Sequence, residues 1–147
     1  MTLSASDTQD RVEQMIALTD RLTELIALEA QAFEQHRPQD AAAQIEEVSR
    51  LANIYRHEST RIRANPDMIA SAPLAQRTRL TRSTEAFDAV LARQSRALSA
   101  AKTVTEGLVR AIADEVATQR TNASSYGPNA TTTKAGQATA ITLNQRA

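Results

Sequence analysis

The sequence predicts an all-α fold, an elongated antiparallel helical hairpin or three-helix bundle with a long third helix and a disordered C-terminal tail. Three observations carry that expectation. From Leu74 to about Arg120, apolar or small residues return at heptad spacing: Leu80, Thr84, Phe87, Leu91, Gln94, Leu98, Ala101, Thr105, Leu108 and Ile112. This is the pattern of a helix with one face packed against other helices. Aromatics make up only 3% of the chain and the β-branched residues form no alternating run, so no stretch reads as a strand. After Arg120 the composition turns abruptly polar, with Thr121-Asn122-Ala123-Ser124-Ser125-Tyr126-Gly127-Pro128 followed by Thr131-Thr132-Thr133. Such a segment buries too little apolar surface to offset its ordering entropy. The expected division is a helical bundle domain over 1–120 and a flexible polar tail over 121–147.

Helix 1 is expected to start near Ser6, where Ser6-Asp7-Thr8-Gln9 fits a capping box. Asp7 and Asp10 add negative charge at the positive end of the helix dipole. Its stripe runs through Val12, Met15, Ile16, Leu18, Leu22, Leu25, Ile26 and Phe33, wide enough to touch two neighbours. Arg37-Pro38 ends it, because the residue before proline is pushed out of the helical region.

Pro38 then suits the first turn of helix 2, where its missing donor costs nothing. The second stripe is Ile45, Val48, Leu51, Ala52, Tyr55 and Ile62. Glu46, Glu47, Arg50, Arg56, Glu58, Arg61 and Arg63 are read as its polar positions. Asn65-Pro66-Asp67 and Ser71-Ala72-Pro73 are further breaks, with Met68 and Ile69 forming a short turn that closes one end of the bundle. Helices 1 and 2 would each extend roughly 40 Å and helix 3 roughly 70 Å. The mismatch implies that part of helix 3 projects past the others or is covered by a partner.

Composition excludes several function classes. The formal net charge is zero, with a tail holding Lys134 and Arg146 and no carboxylate, so no broad attraction to nucleic acid or membrane is expected. Arg77, Arg79 and Arg82 lack the interleaved aromatics of a nucleic-acid patch. There are no cysteines, which removes thiol catalysis, disulfides and Cys-type zinc sites. No run approaches the length of a membrane span, and the polar N-terminus is no secretory signal. A soluble, cytoplasmic protein is expected.

No catalytic constellation emerges, so no enzyme activity, cofactor or metal is expected. His36 and His57 have no partners at metal-ligand spacing. Glu46-Glu47 and Asp114-Glu115 are adjacent carboxylates on solvated faces. Partner binding is the remaining class. Val104, Leu108, Val109, Ile112 and Val116 make a broad apolar face where the shorter helices no longer reach, and exposed faces of this kind receive other helices. In the tail, Tyr126, Ile141 and Leu143 are the candidate anchors.

The order of elements and three local runs resemble the FlgN-type flagellar export chaperones. The runs are Leu22-Thr23-Glu24-Leu25-Ile26-Ala27-Leu28-Glu29, Arg50-Leu51-Ala52-Asn53-Ile54-Tyr55 and Ser125-Tyr126-Gly127-Pro128-Asn129. The chain departs from that pattern in the middle helix, where Val48-Ser49-Arg50 replaces a segment that often carries lysine. The resemblance implies a cytosolic chaperone that binds hook-associated proteins of the hook–filament junction through its C-terminal helix and tail. It would deliver them to the membrane protein of the flagellar type III export gate, with Tyr126 at the position tied to gate docking. The residues alone leave two alternatives open: a structural coiled-coil adaptor, or a regulator that sequesters a partner through the same surface.

Overall fold

The computed structural model describes residues 3–125. Along the chain run α1 (Thr8–Glu34), a 3-10 segment (Pro38–Gln44), α2 (Ile45–Ala64), the short α3 (Asp67–Ala70) and α4 (Leu74–Ser125). No strand occurs among the described residues, so the all-α expectation holds, and α4 reaches Ser125 rather than stopping near Arg120. The described residues divide into two units, one ending at Lys102 and the other beginning at Thr103.

The start of α1 shows a corrected cap. Asp7, not Ser6, takes the capping position, and its Oδ1 accepts the Asp10 N–H at 2.8 Å. Asp10 reaches back to accept the Ser6 N–H at 2.9 Å, doing what the sequence assigned to Gln9. A carboxylate is the stronger acceptor for these unpaired donors. The Ser6 N–H, followed by the Gln14 amide, holds the Asp10 carboxyl below its usual value.

At its other end α1 closes in a left-handed turn. The Arg37 N–H donates to the Ala32 carbonyl (2.8 Å) and the His36 N–H to that of Phe33 (3.1 Å), with His36 at φ 57°. This is the paired closure of a Schellman motif with histidine where glycine is usual.

Residues 38–44 depart from the expected α-helix. Three consecutive alanines supply only Ala41 to the interior, too little side-chain burial to hold an α register. The 3-10 form rises about 2.0 Å per residue and so bridges more distance with the same chain. Ile45, expected on the packed stripe, is 57% exposed as a result, and α2 packs from Val48 onward.

The core of the first unit is built on α1. Met15, Leu18, Leu22 and Ile26 form one cluster with Phe87 and Val90 of α4, flanked by Val48, Leu51, Tyr55 and Ile62 of α2. The broad stripe of α1 is therefore used on two sides, as its width required. Tyr55 and Phe87 meet with ring centroids 5.0 Å apart, tilted by 59°, a favoured aromatic geometry. A second cluster joins Val12 and Ile16 to Ala72, with Ile69 against it, so the Met68–Ile69 turn does close this end.

On α4 the packed seam is rotated from the predicted one. Ser83, Phe87, Val90 and Ala97 are buried, while Leu91 and Leu98 remain 38% and 42% exposed. Heptad spacing allows either set. The small Ala97 permits close approach, and Gln94, beside it on the same face, donates to Glu29 Oε2 at 2.5 Å. Glu29 is nearly buried on α1, and the polar pair therefore fixes which flank faces inward.

Glu58 is the main polar correction. Read from sequence as a surface position, it is fully buried. Its Oε1 accepts the Leu3 N–H and the Arg61 guanidinium, each at 3.1 Å, and its Oε2 accepts from Arg11 at 3.3 Å. Glu58 lies seven residues after Leu51 and four before Ile62, on the stripe itself. A charge placed there has to be paired, and the pairing ties the N-terminal arm to α1 and α2.

Candidate partner-binding surface

Residues 103–125 continue α4 without interruption. Straight-chain residues and alanine favour the helix here, and hydroxyls of Thr118, Thr121 and Ser125 bond back to carbonyls four residues earlier. Gly107 is the poorest helix former of the segment, and nothing lies within 4 Å of where its Cβ would sit.

Every residue from Lys102 to Ser125 is exposed. Val104, Leu108, Ile112 and Val116 follow at four-residue steps and therefore share one face. Their exposures are 58%, 59%, 55% and 43%. Val104 comes seven residues after Ala97, and Leu108 seven after Ala101, so this stripe continues the helical face that is packed earlier in α4. Val109, 61% exposed, broadens the face and borders a shallow depression of about 510 Å³ with Thr105, Glu106, Arg110 and Ala113.

The chemistry of the face is apolar contact. Asp114 and Arg110 point to other sides of the helix by its period, whereas Glu115, seven residues after Leu108 and three after Ile112, shares the face of the stripe and accepts from the Gln119 amide at 3.1 Å. Glu115 places one carboxylate toward the C-terminal end of this otherwise apolar stripe. Covering the part of each apolar side chain that is still exposed would contribute about 0.7–1.5 kcal/mol before the cost of association. A facing amphipathic helix is the matching shape.

Four of the seven sequence-predicted site residues, Val104, Leu108, Ile112 and Val116, thus come together on one face. Tyr126, Ile141 and Leu143 lie outside the described residues. Sequence reasoning missed the exposure of Leu91 and Leu98, since heptad spacing alone does not say which flank of the seam faces in.

Polar groups elsewhere are mostly engaged in holding the first unit together. Arg93 binds Glu34 through two bonds of 2.8 and 2.6 Å. Arg21 binds Glu47 through bonds of 3.0 and 3.2 Å. Arg79 and Gln76 both donate to Glu13, at 2.6 and 3.0 Å. These bonds hold the Glu13, Glu34 and Glu47 carboxyls below the usual range, with the hydrogen bond the largest cause in each. Glu29 shifts the other way: desolvation raises it, and the Gln94 bond only partly opposes this. His36 and His57 are exposed. Among the described residues no group of three metal-binding side chains converges, and no helix is long and apolar enough to cross a membrane.

No family model and no solved structure matches the chain. The chain is 59% identical, over an alignment of 149 residues covering all of both chains, to the flagellar basal-body protein FlbY of Caulobacter vibrioides.

Proposed function

The chain belongs to the family of the flagellar basal-body protein FlbY, and from that premise we propose that it serves flagellar assembly as a non-enzymatic binding protein. In the finer form of the proposal it is a cytoplasmic export chaperone. Its α4 face would receive an amphipathic helix of a hook-associated protein, and the chain would deliver that cargo to the export gate of the flagellar type III apparatus.

The carrying observation is the exposed stripe Val104–Leu108–Ile112–Val116, apolar over about three helical turns and presented on a continuous helix. The flagellar name of the relative supports the process, and the earlier resemblance to FlgN-type chaperones supports the role. A cargo carrier must also release, and a single helix face of this size suits moderate, reversible affinity. Tyr126 would dock the gate in this reading.

Affinity purification from flagellated cells tests it, comparing the full chain with the Leu108→Asp/Ile112→Asp variant. The proposal expects hook-associated proteins with the unaltered chain and their loss with the variant, whose helix content stays unchanged. Capture of further copies of this chain alone would replace it with the structural coiled-coil adaptor, which the heptad spacing of the same stripe also fits.

A further inference from the structure

The burial of Glu58 also determines the charge on the opposite, solvent-facing side of α2. Between Ser49 and Arg63 the sequence holds Arg50, Arg56, Arg61, Arg63 and His57, with Glu58 as the one carboxylate. Read as a string, that carboxylate tempers the positive charge. In the fold it is turned inward, fully buried, with both oxygens engaged by Arg11, Arg61 and the Leu3 N–H. From Ser49 to Arg63 the outer face of α2 is therefore cationic with no anion on it.

Arg50, Arg56 and Arg63 are exposed, and among the described residues none of them has a carboxylate at ion-pair distance. The nearby Glu47 is bonded to Arg21 and feels the charge of Arg50 only at longer range, and Arg56 donates to the neutral Asn53 side chain. A shallow groove of about 650 Å³ runs along this side, bordered by Arg50, Asn53, Ile54, Arg56, His57 and Thr60. Arg56 and Arg63 are two turns apart on one face, about 10 Å along the axis.

We propose that the outer face of α2 docks an acidic helical segment of a partner protein, one whose carboxylates recur every second turn to meet Arg56 and Arg63. Guanidinium groups suit this task, because each can take a carboxylate through two parallel bonds. Asn53 and Thr60 supply the neutral hydrogen-bonding rim common in protein interfaces. A nucleic acid fits less well. The face carries no aromatic for base stacking, since Tyr55 is turned in against Phe87, and a neutral chain exerts no long-range pull on a polyanion. A membrane surface also fits less well, because a helix lying on lipid needs an apolar side free to enter it and that of α2 is in the core. This docking surface is separate from the α4 stripe and stands independently of the proposed function.

The test uses the full chain and a fluorescent helix-forming peptide with glutamate at every seventh position and alanine and glutamine between, read by anisotropy. Binding is expected to weaken about tenfold or more for Arg50→Glu/Arg56→Glu/Arg63→Glu and to survive Arg→Lys changes at the same positions in part. It is also expected to fall several-fold as salt rises from about 50 to about 200 mM. Leu108→Asp should leave it unchanged. Circular dichroism of the variants is expected to match that of the unaltered chain, because all three positions are exposed. Absence of peptide binding, equal binding by the charge-reversed variant, or preferential binding of a duplex oligonucleotide or phosphatidylglycerol vesicles would overturn the proposal.

Discussion

His36 and Gly107 occupy each other's natural places. His36 holds φ 57° at the end of α1, a left-handed conformation that costs a residue with a Cβ and suits glycine. His36→Gly is therefore expected to stabilise the chain by about 0.5–1 kcal/mol, measured as a higher urea midpoint at unchanged slope. Gly107 sits inside α4 with open space around its missing Cβ and no positive φ. Gly107→Ala should slow amide exchange in the surrounding turns, by an amount corresponding to roughly 1 kcal/mol. Glu29 offers a pH-dependent test. Its carboxyl is raised by burial above its ordinary 4.5, so the unfolded chain ionises first as pH rises. The stability of this site is complete below the ordinary value and is lost as pH climbs through the raised folded one. Glu29→Gln keeps an acceptor for Gln94. It should raise the melting temperature at about pH 7 and change it little at about pH 4.

At the scale of elements, α4 carries two kinds of apolar residue at the same helical spacing. Phe87 and Val90 are packed in the core cluster with Leu22 of α1, whereas Leu108 and Ile112 stand on the same helix more than half exposed. Equal hydrophobicity thus has unequal energetic consequences. Leu22→Ala, at a site with 0% exposure, is expected to cost about 3 kcal/mol in denaturant unfolding. Leu108→Asp should cost no more than about 1 kcal/mol, chiefly through helix propensity. A large loss of stability from Leu108→Asp would mean that the stripe is covered within the protein, and the proposed partner surface would not exist. The 3-10 segment teaches the complementary lesson. Its alanines favour α-helix intrinsically, yet with only Ala41 anchored the segment takes the longer-reaching form.

For the molecule as a whole, three interhelical ties besides Arg11–Glu58 are carboxylate–arginine pairs at the surface: Glu13–Arg79, Glu34–Arg93 and Glu47–Arg21. All three carboxyls are lowered from their ordinary 4.5. Their contribution is present above that value and is lost as pH falls through the folded ones, the opposite sign to Glu29. The urea midpoint is expected to hold from about pH 7 to about pH 5 and to drop below about pH 4, with the drop reduced in high salt because the pairs are exposed and screened. A midpoint that rose steadily on acidification would mean that these pairs contribute nothing and Glu29 alone governs the response. Much of this architecture was legible beforehand. Apolar spacing, the prolines at 38, 66 and 73 and the missing strand patterns determine the all-α class and the order of helices, because helix periodicity and chain breaks are local properties. The apolar face at Val104–Val116 was legible for the same reason. Which flank of α4 turns inward, why Glu58 is buried, and hence why the outside of α2 is left cationic, were decided only in the tertiary structure. Heptad spacing leaves adjacent flanks equivalent until a neighbour packs on one of them. A buried charge is tolerated only where residues distant in sequence, here Leu3 and Arg11 against Glu58, arrive to pair with it.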